Sequence, residues 1–107
     1  MDVRLASCDE LDWIVATTGG SVYELIVLSG ETGDVMVRGG RFCPEFRRAR
    51  VVGSLLGASA VKLRTVCVGQ PLELQIDGRS FVTSHVKAVS HHRNPAVEGA
   101  IAIRPDI

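Results

Sequence analysis

Between Pro71 and Thr83 the chain carries the pattern that most restricts its fold. Leu72, Leu74 and Ile76 alternate with Glu73 and Gln75, the two-residue period of a strand with one wet face. Asp77-Gly78 follows directly, a pair that accepts the positive φ angles of a tight hairpin turn. A second apolar and β-branched run then returns from Phe81 to Val89. Within it Val82, Ser84, Val86 and Ala88 share one face while Phe81, Thr83, His85, Lys87 and Val89 share the other. Neither face is clean, which predicts a bulge that re-aims side chains at a barrel corner.

The rest of the chain repeats this grammar less cleanly. Ser7-Cys8-Asp9-Glu10 has the S-x-x-E form of a capping box and is read as the start of a single helical turn. Trp13 to Ala16 reads as a strand ended by Gly19-Gly20. Val22 to Leu28 is almost continuously apolar, as in a strand buried on both faces. The turn cluster Ser29 to Asp34 links it to a strand over Val35 to Arg38. The segment from Arg41 to Leu56 is ambiguous: Pro44-Glu45 suits a helix start, but Gly53 and Val51-Val52 disfavour a helix, so it is read as a loop through Phe46 and a strand from about Arg48 to Val52. Val61, Leu63 and Thr65 begin a further strand that continues to Val68. Residues 91–107 read as a carboxy-terminal arm or edge strand.

Turn signals recurring about every 8–12 residues suit a barrel or sandwich. The expectation is therefore an all-β, single-domain small β-barrel spanning residues 1–107, SH3-like or OB-like or similar, with six to eight short strands and at most one or two helical turns. A chain of 107 residues with 46% hydrophobic content supports one core without metal or disulfide staples. With one Trp, one Tyr and three Phe, that core rests on Val, Leu and Ile.

Cys8, Cys43 and Cys67 are odd in number and widely spaced, with no C-x-x-C pair, so the default is a reduced, cytoplasmic setting. Asp2 and Arg4 precede any apolar run, unlike a secretory leader, and no stretch is as long as a membrane span.

Net charge is zero but unevenly placed. In residues 1–34, Asp2, Asp9, Glu10, Asp12, Glu24, Glu31 and Asp34 oppose Arg4 alone, a net of −6; in residues 35–65, Arg38, Arg41, Arg47, Arg48, Arg50, Lys62 and Arg64 oppose Glu45 alone, a net of +6. Either neighbouring strands pair an acidic edge with a basic one, or the two regions join separate molecules.

The cluster Arg38, Arg41, Arg47, Arg48 and Arg50 is the candidate partner-binding site. Guanidinium forks grip carboxylates and phosphates in two-point contacts, and Phe46 offers a ring for stacking a base. Overall neutrality argues against a dedicated nucleic-acid binder. His85, His91 and His92 lack a His-x-His pair and the nearest cysteine in sequence is Cys67, so they read as surface histidines and not a metal site. Cys67 reads as buried filler between valines, whereas Cys43, in an expected basic and exposed loop, reads as the most reactive thiol. Neither a G-x-S-x-G elbow nor a G-x-x-x-x-G-K-[ST] loop is present.

These readings converge on a non-catalytic structural or assembly module without a cofactor, acting on a protein partner or on itself through its acidic and basic regions. Nucleic-acid or phosphate binding by Arg41, Arg47, Arg48 and Arg50 is the alternative. A small enzyme using Cys43 or His85 ranks below both. No membrane partner is expected.

Overall fold

The computed structural model describes residues 1–41 and 43–94; the arm expected beyond Asn94 lies outside them. Nine strands are present among the described residues: β1 (Asp2–Arg4), β2 (Trp13–Thr18), β3 (Val22–Ser29), β4 (Asp34–Gly39), β5 (Cys43–Leu55), β6 (Val61–Leu63), β7 (Thr65–Cys67), β8 (Pro71–Ile76) and β9 (Arg79–His92). Antiparallel pairing runs β4-β3-β2-β9-β8-β5, and a further β4–β5 pairing closes these six strands into a ring. Closure removes the free edges that an open sheet of this size exposes. The all-β expectation holds, with more strands than anticipated, two of them long.

The ring fills with side chains of one alternation. Ile14 and Ala16 of β2, Leu25 and Val27 of β3, Val35 and Val37 of β4, Ala49 and Val51 of β5, Leu72 and Leu74 of β8, and Val86 of β9 form the buried core. β3 accordingly alternates: Leu25 and Val27 are buried, while Ile26 and Leu28 stay partly exposed, so it is not buried on both faces as its composition suggested. β1 and β7 form a separate two-stranded sheet that adds Val3 and Val66 to the same core. The buried Ser54 hydroxyl anchors that sheet, accepting from the Cys67 N–H at 2.9 Å and donating to the Thr65 carbonyl at 2.8 Å.

Three local expectations are corrected. The segment read as a loop through Phe46 is strand from Cys43 onward, because β5 pairs with β4 over its first half and with β8 and β6, on opposite edges, over its second. Pro44 is tolerated near the strand start, and Gly53 is no helix breaker but the point where β6 approaches β5. The helical turn is a 3-10 turn at Leu5–Ser7, one step before the capping-box motif, with no side-chain cap; the Asp9 N–H instead binds Asp12 Oδ2 at 2.9 Å. Finally, the run expected from Val61 to Val68 is broken at Arg64, whose φ of 48° divides β6 from β7.

The bulge expected in the return strand is present twice. Between the pairs Pro71↔His85 and Glu73↔Val82, β9 holds an extra residue, and it gains another between Thr17↔Ala88 and Thr18↔Val86. Each bulge shifts the inward face, so Val86 and Val89 both point to the core.

Candidate functional site

β5 spreads the arginine cluster in two directions. Its alternation sends Ala49 and Val51 inward and Arg48 and Arg50 outward, while Arg47 reaches the β8–β9 turn and meets Asp77 at 2.5 Å. Arg48 and Arg50 converge on Asp34, at 3.9 and 3.3 Å. The Thr32 hydroxyl, 2.8 Å away, and the Arg50 guanidinium hold the Asp34 carboxyl below its usual range. Arg38 of β4 binds Glu24 of β3 at 2.7 Å and lies 4.4 Å above the Phe46 ring. Arg41 is exposed in the β4–β5 connection. Lys62 binds Asp2 at 3.0 Å. The acidic and basic regions thus meet within one molecule, largely across neighbouring strands. A groove of about 270 Å³, lined by Asp34, Arg48, Ala49, Arg50, Gln75, Asp77 and Gly78, lies beside them.

The outer face of the ring carries a feature that linear reading missed. Cross-strand register places His92, Trp13, Ile26, Met36 and Arg48 in one row over β9, β2, β3, β4 and β5. Trp13 is 42% exposed, and its ring lies 6.3 Å from that of His92. The next row holds Ser90, Val15, Glu24 and Arg38. Trp13, Val15, Ile26 and Met36 therefore form an apolar outer stripe bordered by Arg38 and Arg48. Alternation of Trp13 and Val15 with the buried Ile14 and Ala16 was the available signal; the register that aligns three further strands was not.

Cysteine positions correct one expectation and support another. Cys67 is buried as read, but Cys43 is also buried, at 3% exposure, because it starts a strand. Desolvation raises its thiol pKa and outweighs the opposing Arg47 charge, the reverse of what a basic, exposed loop would do. All three cysteines are free thiols.

The histidines separate. His85 and His92 are exposed, as expected, but His91 points back to the buried Asp12, with Nε2 2.7 Å from Oδ2. Asp12 also accepts from the Asp9 and Asn94 backbone N–H groups, at 2.9 and 2.6 Å. Burial opposes ionisation of Asp12, but these hydrogen bonds hold its pKa below the ordinary carboxylate value. Cys8 lies beside them, its pKa pushed up to about 11 by burial and then by the charges of Asp12 and Asp9. One potential ligand atom from each of Cys8, Asp12 and His91 falls within 4.8 Å of the others.

Among the described residues, no helix is long and apolar enough to cross a membrane. No protein-family model, curated protein or solved structure matches the chain.

Proposed function

We propose that the protein is a non-catalytic contact module that binds a protein partner across the outer face of β2, β3 and β4. The observation carrying this reading is the continuous stripe of Trp13, Ile26 and Met36 with Arg48 at its end. Trp13 is exposed and Ile26 and Met36 beside it are partly exposed; single apolar residues are ordinary on a protein surface, whereas contiguous apolar surface marks contacts. Trp, Met and Arg are also residue types enriched where binding energy concentrates. Arg48 is 73% exposed and only 3.9 Å from Asp34, so its guanidinium is readily redirected to a partner carboxylate. The fitting partner presents an apolar side chain to Trp13 and an acidic group to Arg48, in the reduced cytoplasmic setting suggested by the free thiols.

Internal pairing of Asp2, Glu24 and Asp34 with Lys62, Arg38 and Arg50 favours a different protein over a second copy. Photo-crosslinking residues placed at positions 13 and 36 should capture one recurrent partner, with an exposed control at position 82 capturing none. Capture lost with Arg48→Ala supports the reading. Absence of adducts from 13 and 36, or identical adducts from all three positions, overturns it.

Anion binding is the second reading, favoured by the groove beside Arg48 and Arg50. A phosphate there competes with Asp34 for the Arg50 guanidinium, which Asp34 holds at 3.3 Å. Titration with a labelled single-stranded oligonucleotide tests it: salt-sensitive binding lost with Arg48→Ala plus Arg50→Ala supports it, and no binding removes it.

A further inference from the structure

We propose that Cys8, Asp12 and His91 form a binding site for one zinc ion, closing the junction between the start of β2 and the end of β9. The donors are one thiol sulfur, one carboxylate oxygen and one imidazole nitrogen, all mutually within 4.8 Å. A mixed sulfur, nitrogen and oxygen set suits zinc, and three protein ligands leave its fourth position for water. Zinc bonds of about 2.0–2.3 Å place tetrahedral donors roughly 3.2–3.7 Å apart. The His91 Nε2 to Asp12 Oδ2 distance of 2.7 Å therefore has to open by less than about 1 Å.

The surroundings are built to hold such a ligand set. Asp12 is 1% exposed, and the backbone N–H groups of Asp9 and Asn94 fix the direction of its carboxylate. Such outer hydrogen bonds orient metal-binding side chains. The carboxylates of Asp9 and Asp12 lie close enough to disfavour a bare Cys8 thiolate, and among the described residues Arg93 is the cation that opposes them. Arg93 is itself paired with Asp9 at 3.4 Å. A dication supplies the positive charge that stabilises the Cys8 thiolate. On binding, the thiol releases its proton to solvent and Sγ donates an electron pair to zinc, while the proton that His91 Nε2 shares with Asp12 Oδ2 passes to Nδ1 or to solvent and frees the Nε2 lone pair for the metal. No oxidant or reductant is required.

The test uses the full chain without a histidine tag, zinc chloride as the probe, and calorimetry with a parallel cobalt titration read by thiolate-to-metal absorption. One equivalent of zinc should bind with proton release, and Cys8→Ser and His91→Gln should each weaken binding roughly tenfold or more. Cys67→Ser should leave it unchanged. In the unaltered protein, zinc should protect Cys8 from alkylation, which keeps the proposal testable if a variant fails to fold. No stoichiometric binding, affinity indifferent to Cys8→Ser in a folded variant, or no protection of Cys8 would overturn it.

Discussion

At Gly53 an added methyl group would lie 2.1 Å from the Lys62 carbonyl oxygen, and the residue sits at a φ of 150°. Steric exclusion and backbone conformation therefore demand glycine together, at the point where β5, still paired with β8, takes up β6 on its other edge. Gly53→Ala should cost about 2–4 kcal/mol, read as a lower urea midpoint with an unchanged slope. Gly78 presents the contrasting case. Its φ is 76°, but nothing lies within 4 Å of the position a methyl carbon would take, so Gly78→Ala meets only the backbone penalty and should cost about 1 kcal/mol. The ratio of the two losses separates crowding from conformation.

Ion pairs between neighbouring strands give this sheet a defined acid response. Asp34 begins β4, accepts from Thr32, and faces Arg50 across the β4–β5 pairing. Its folded pKa is depressed below 3.8. The resulting stabilisation is present above the unfolded pKa and disappears as pH falls through the lower folded value. Urea unfolding between roughly pH 6 and 2 should therefore show a loss below about pH 4, which Asp34→Asn diminishes by up to about 1 kcal/mol. An identical pH dependence in the variant would remove Asp34 from this account. Alternation along β5 also divides the arginine run, because successive residues of a strand face opposite ways and Arg47 and Arg48 leave β5 on opposite faces.

For the whole molecule, folding brings part of the charge asymmetry together on its surface. Asp2, Glu24 and Asp34 of the acidic region meet Lys62, Arg38 and Arg50 of the basic region within one fold. Light scattering should accordingly give the mass of one chain across about 50–500 mM salt. A larger species at low salt that dissociates with added salt would restore charge-driven self-assembly. The apolar stripe persists after this pairing, which is why the contact reading rests on Trp13, Ile26 and Met36 more than on net charge.

Alternation and turn chemistry determined much of the molecule by themselves. Leu72 to Ile76, the Asp77-Gly78 turn and the returning strand were legible because a period of two and a positive-φ turn are local properties. Tertiary structure decided ring closure, the burial of Cys43 and the alignment of Trp13 with Met36, since each depends on which distant strands pair. It also joined Asp12 to His91 across 79 residues. Local pattern records which face a side chain takes, but it contains no register between strands, and register is what assembles a site.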